Sequence, residues 1–241
     1  MNKKNQIRLM SVLIGLLAII IVGVFWYQRN QTTHQQALEQ SLSQSQQLTE
    51  ETSKQEQTDN PVKTYGMEAR KELESRHLNA NLILQRDERF AKLDYGHGDY
   101  HTLDKNGCAI VALSMINAYF DHETTTPNKV LDWAQNRYFT DYGTSWQIFD
   151  DFAKNYGYHV ADLTDNLELA TSYLKIGIPV VISVNPGKFT KVGHIMVLTS
   201  MDEQGIHLLD PNDDDTKKHS LTTYTVEDIK SELKNMWVYT K

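Results

Sequence analysis

The chain has a single cysteine among its 241 residues, Cys108, so it can form no internal disulfide and no multi-cysteine zinc site. It also lacks a basic surplus. The net charge is −7 and no face-sized basic cluster occurs beyond residue 8, which argues against a nucleic-acid binder. No internal repeat is visible. Across residues 28–60, branched apolar and aromatic residues are nearly absent, while Gln, Ser, Thr and Glu abound. Such a stretch buries too little surface to offset the entropy of ordering it, and it reads as a disordered tether.

One long apolar run is present. Residues 10–27 carry no charge, and about 20 such residues span a bilayer. Lys3, Lys4 and Arg8 precede the run and only Arg29 follows closely, so the positive-inside rule puts residues 1–9 in the cytoplasm. Trp26 and Tyr27 suit the outer aromatic belt. A cleaved signal peptide would need a small-x-small site, which Phe25, Trp26, Tyr27 and Gln28 do not offer. The expectation is an uncleaved signal anchor: a single-pass protein of the cell membrane whose globular part, residues 61–241, is extracellular. Without disulfides, that part suits the surface of a bacterium with a single membrane.

Helix signals dominate the first half of the globular part. Residues 65–77 read as a peripheral helix, and 108–120, apolar nearly all round, as a helix buried in the core. Thr126 and Pro127 start another to about Arg137. Thr144 or Ser145 caps a helix over 146–155 that Gly157 stops. Asp165 with Glu168 resembles a capping box for 167–175. Strand-like runs follow at 178–184, 195–200 and 206–209, the last two joined by a turn at 202–205. A short helix over 226–234 and a strand over 236–239 close the chain. Helices first and antiparallel strands afterwards predict an α+β fold.

Chemistry concentrates on Cys108. A thiol at a helix start meets the positive end of the helix dipole, which favours the thiolate. The free N–H groups there can hold the oxyanion of a carbonyl under attack, and small neighbours, Gly107 and Ala109, would let a substrate backbone approach. His194 is a candidate base, and Asp210, on the next strand, can take its second ring nitrogen. A simple hairpin turn would set Asp210 opposite Leu198, roughly 13 Å along the strand from His194. A bulge, strong twist or different turn register has to close that gap.

Gln85-Arg86-Asp87-Glu88-Arg89-Phe90, Tyr95-Gly96, NGCAIVALSM from Asn106, Thr144-Ser145-Trp146, Lys191 through Leu198, and Asp210-Pro211-Asn212 occur in that order. Over about residues 80–215 the chain thereby resembles the bacterial peptidase family related to the double-glycine bacteriocin-leader peptidases, a branch of the papain-like cysteine peptidases. The resemblance implies a papain-like α+β fold, with Cys108 as nucleophile, His194 as general base and acid, and Asp210 as orienting carboxylate. Two positions depart from the pattern. Ala109 replaces the usual glycine, and Thr102 stands where a glutamine would donate to the oxyanion, leaving Asn106 as the nearest amide.

The function expected is a thiol hydrolase of amide bonds in a peptide or protein substrate, needing no metal or organic cofactor. Its alternatives on the same triad are a cell-wall peptide hydrolase and a transglutaminase-like acyl transferase; a further alternative is a non-catalytic binding domain. The absence of transporter domains from this chain disfavours leader processing inside the cell. His97, Asp99 and His101 are too few for a metal site, and Asp213-Asp214-Asp215 lacks calcium-loop spacing. His159, His207 and His219 have no evident partner in the sequence. Trp146 belongs to the core or borders the cleft.

Overall fold

The computed structural model describes residues 60–122 and 126–241. The membrane segment expected over 10–27, and the expected tether except for Asn60, lie outside the described residues. Among those described, no helix is long and apolar enough to cross a membrane.

The chain enters through α1 (Pro61–Ser75), begun by Asn60, whose side chain accepts from the N–H groups of Val62 and Lys63, each at 3.1 Å. The helix starts earlier than its apolar spacing suggests because cap and proline precede the first core contact at Tyr65. A 3₁₀ turn (Gly98–Tyr100) and the short α2 (Leu103–Asn106) lead to α3 (Cys108–Asp121). Ala109 through Ala118 are all buried in α3, as its all-round apolar sequence requires. Next come α4 (Pro127–Ala134), the small ribbon β1 (Phe139–Thr140) and β2 (Gly143–Thr144), and α5 (Gln147–Tyr156), closed by Gly157 at φ 74°.

The second half holds β3 (His159–Thr164), α6 (Leu167–Lys175), β4 (Val180–Val184), β5 (His194–Met201), β6 (Ile206–Leu209), a 3₁₀ turn (His219–Leu221), α7 (Val226–Lys230) and β7 (Leu233–Thr240). The five-stranded sheet has the order β3-β7-β4-β5-β6, and every pairing is antiparallel. The expected α+β class is therefore what the structure shows.

Three local expectations change. Asn166, not Asp165, caps α6 by accepting from Leu169 N–H at 3.0 Å. The helix expected to Lys234 stops at Lys230, because Leu233 already pairs with Val184 in the sheet. The intervening Glu232 turns inward and accepts from the N–H groups of Lys188 and Phe189. β3 was not legible, since its side chains are mostly exposed and show no apolar alternation.

Alternation along the strands splits the interior in two. Val181, Ile195, Val197, Leu209, Trp237 and Tyr239 face a core built with α1, α3, α4 and α5. Val180, Ile182, Val184, Met196, Leu198 and Leu208 face a second core with α6 and α7. A sheet covered on both faces explains why β4 is apolar at nearly every position.

Gly107 and Ala109 are small for reasons of packing. A Cβ on Gly107 would come within 2.5 Å of the Leu103 carbonyl oxygen, and Ala109 is fully buried beneath the helix. Gly107→Ala is expected to lower the unfolding free energy by about 1–3 kcal/mol, the usual cost of overpacking. Denaturant titration checks this; an unchanged midpoint would show that the α2–α3 elbow yields without strain.

Candidate active site

The helix start carrying Cys108 and the strand start carrying His194 meet at one end of the sheet. Cys108 is partly exposed and borders a cleft of about 290 Å³, together with Asn106, Thr144, Trp146, Ser183, Val192, Gly193 and His194. The His194 imidazole hydrogen-bonds the sulfur, and the N–H groups of Ile195 and Ala109 also point at it. The other face of the ring is anchored: Nε2 lies 2.6 Å from Asp210 Oδ1, which leaves Nδ1 for the thiol. Both partners are buried, His194 at 7 % and Asp210 at 1 % exposure, so little water competes for the bond.

The gap anticipated between β5 and β6 is narrowed by one bulge. The turn pairs Met201 with Ile206, with Glu203 and Gln204 at its centre as expected and Asp202 N–H donating to Gly205 O at 3.0 Å; counted on from there, Asp210 would face Val197. A bulge between Leu198 and Ser200 shifts the register by one residue, so that Leu208 faces Leu198 and Leu209 faces Val197. Continued, this sets Asp210 opposite Met196, two residues from His194, or roughly 7 Å along the strand. By alternation His194 and Asp210 share the face of Met196 and Leu208, and the two side chains span that distance.

The carboxylate is the best-served group in the site. Asp210 Oδ1 also accepts from Asn212 N–H at 2.7 Å, and Oδ2 lies 2.7 Å from His219 Nδ1. Burial works against its charge, but the His194 and His219 hydrogen bonds outweigh it and hold the carboxyl well below the usual carboxylate range. For His194, burial opposes the imidazolium, yet the bonds to Asp210 and Cys108 raise its pKa to about 10. Burial likewise disfavours the Cys108 thiolate, but the His194 hydrogen bond and charge lower the thiol pKa below its ordinary value. The arrangement favours a thiolate–imidazolium pair.

The donor left free at the helix start is a backbone one. Among the described residues, no hydrogen bond engages the Cys108 N–H, the first of α3. Asn106 does not supply a side-chain donor, because both its amide protons are used on Tyr95 O and Tyr100 O, which fixes the loop before α2. Thr102 instead donates to the Asp104 carboxylate.

Two contributors escaped sequence reading. Gln85 is buried and ties the two halves of the site: its N–H donates to Pro211 O at 2.7 Å, and its Nε2 to Asp104 O at 2.9 Å. Its place in the motif was the only sequence signal. His219 lies in a polar loop with no periodicity to mark it. Three other histidines are engaged elsewhere, His97 with Asp141, His101 with Asp94 and His207 with Asp202. Asp210, Asp213 and His219 offer ligand atoms within 4.8 Å of one another. Asp213 already accepts from Tyr65 OH at 2.6 Å, Ser220 N–H at 2.7 Å and His219 N–H at 2.9 Å, so the cluster is a closed hydrogen-bond network.

The model of the Peptidase_C39-like family matches residues 77–241. The chain belongs to that family, and the family is one of cysteine peptidases. No curated protein sequence gives a significant match. Among solved structures, the peptidase domain of Streptococcus ComA, a bi-functional ABC transporter involved in a quorum-sensing pathway, is similar. It shows 18% identity and a TM-score of 0.45 over 57% of this chain and 93% of that domain. A double-glycine-motif protease from an AMS/PCAT transporter, in complex with the leader peptide, shows 19% identity and a TM-score of 0.40 over 55% of this chain and 82% of that one. A protein described as a C39-like peptidase from Bacillus anthracis shows 17% identity and a TM-score of 0.42 over 68% and 96%.

A lowered thiol pKa means that the thiolate survives as the pH falls below the ordinary value and is lost only through the lower, folded one. Iodoacetamide should therefore alkylate Cys108 at a pH where a free thiol near pKa 8.5 has nearly stopped reacting. His194→Ala removes the foremost stabilising contact and should move the alkylation midpoint upward. A wild-type profile matching free cysteine would contradict the pairing.

Proposed function

We propose that the chain is a membrane-anchored extracellular hydrolase that cleaves amide bonds of a peptide substrate, with Cys108 as nucleophile, His194 as general acid and base, and Asp210 as orienting carboxylate. The observation that carries this reading is the unbroken hydrogen-bonded series from Cys108 through His194 to Asp210 at the wall of an open cleft. Cys108 Sγ adds to the carbonyl carbon, and the oxyanion is received by the Cys108 N–H. The imidazolium of His194 protonates the departing amine, leaving a thioester. His194 then takes a proton from water, whose hydroxyl displaces the sulfur and releases the acid. Asp210 holds the ring in the tautomer that faces Cys108 and stabilises its positive form. The anchor rests on the uncharged run at residues 10–27 and the basic residues before it.

The cleft favours a particular kind of peptide. Its lining includes Lys105 and Lys234 and no carboxylate, in a protein whose net charge is −7. Tyr142, Trp146 and Val192, three of the exposed large apolar side chains, also line it. The substrate that fits is an extended peptide with a bulky apolar side chain and acidic neighbours near the scissile bond.

Cys108→Ala should abolish hydrolysis while leaving the thermal midpoint nearly unchanged; undiminished turnover in that variant rejects the mechanism. In a panel of peptides differing only by Glu, Gln or Lys beside the scissile bond, kcat/KM should rank Glu above Gln above Lys. Each charge should count for up to about fivefold, and the ranking should shrink with added salt. A ranking indifferent to charge would remove the acidic preference alone.

A further inference from the structure

The Asp210 carboxylate lies between two imidazoles. Oδ1 meets His194 Nε2 at 2.6 Å and Oδ2 meets His219 Nδ1 at 2.7 Å. Among the described residues, His219 is the sole donor to Oδ2, whereas Oδ1 has a second donor in Asn212 N–H. A carboxylate at 1 % exposure cannot turn to water for a replacement, so without His219 one of its oxygens is buried and unpaired.

His219 is itself held firmly. Its N–H donates to Asp213 Oδ1, the next residue's N–H donates to Asp213 Oδ2, and Ser220 Oγ accepts from Asp210 N–H at 3.0 Å. Phe189 meets the ring edge-on, with centroids 5.5 Å apart. The segments around 210–213 and 219–221 are thus zipped together, and the imidazole is delivered to Oδ2 with little freedom.

We propose that His219 is a positioning residue for the reaction: by donating Nδ1–H to Asp210 it fixes the carboxylate's rotation and its ionised state, and through it the tautomer and orientation of His194. The inference rests on reading Cys108, His194 and Asp210 as the reacting assembly. It adds to the linear series a branch that the family motif, ending at Asp210-Pro211-Asn212, does not contain. The titratable and charged groups around this frame include Asp210, Asp213, Asp214 and Lys217 of the loop, Arg86, whose guanidinium donates to Asp213 O and Asp214 Oδ2, His194 of β5 and Cys108 of α3. Tyr65 of α1 and Tyr224, beside α7, adjoin the same carboxylates.

The test compares His219→Leu, which removes the donor, with His219→Asn, whose amide places a donor near the position of Nδ1. The first readout is the pH profile of Cys108 alkylation by iodoacetamide in the full chain, which needs no substrate. His219→Leu should raise the midpoint toward that of a free thiol, and His219→Asn should restore much of it. With a cleaved peptide, His219→Leu should lower kcat by about tenfold to a hundredfold, the worth of one hydrogen bond to a charged group, with KM little changed. A folded His219→Leu protein with an unshifted alkylation midpoint overturns the proposal. Should that variant fail to fold, nitrogen-15 NMR of the wild-type histidines decides: His219 must carry a proton on Nδ1 at neutral pH, and a bare Nδ1 overturns it. Failure of every peptide to be cleaved would tell against the hydrolase reading and leave this result standing on the thiol data.

Discussion

Everything in the site depends on keeping a charged carboxylate in a nearly dry place. Asp210 has two imidazoles and a backbone N–H around it, and these contacts more than offset the burial that would neutralise it. Its charge raises the His194 pKa, and the imidazolium lowers that of the Cys108 thiol. Polarisation runs outward, from the interior of the sheet to its open end. The Cys108 thiol owes its lowered pKa to that buried anchor, acting through His194, and the helix start on which it sits works in the same direction.

The scaffold explains why such an anchor can be stable. Both faces of the sheet are covered, so the strand ends are held by two separate apolar cores while their terminal residues remain available for polar work. The 202–205 turn and a one-residue bulge set the register of β6 against β5, and together they decide which side chain ends up behind His194. Gln85 joins α2, just before Cys108, to the loop after Asp210, although the two are far apart along the chain.

Much of this was legible. The apolar run after Cys108 announced a buried helix, Gly157 and the 202–205 turn stand where turn chemistry put them, and Cys108, His194 and Asp210 do meet. What was hidden was hidden for physical reasons. His219 reaches Asp210 through a polar loop whose path follows from backbone bonds to Asp213 and not from any periodic pattern. Asn106 looked available because local sequence cannot show that two distant carbonyls already hold its amide. β3 pairs at the sheet's edge with few apolar side chains, and the end of α7 is dictated by a strand partner on β4. Each is a tertiary override of a local signal.

The helix α1 touches the base of the site at two points. Tyr65 OH donates to Asp213 at one end of the 213–221 segment, and Arg76 donates to Leu221 O at 3.0 Å at the other. Since α1 begins at Pro61, mechanical load entering the domain from the preceding chain passes first into this helix. Tension there would pull on the segment that carries His219 as well as on the core that α1 shares with the sheet. The clasp thus couples the domain's entry helix to the segment that carries His219.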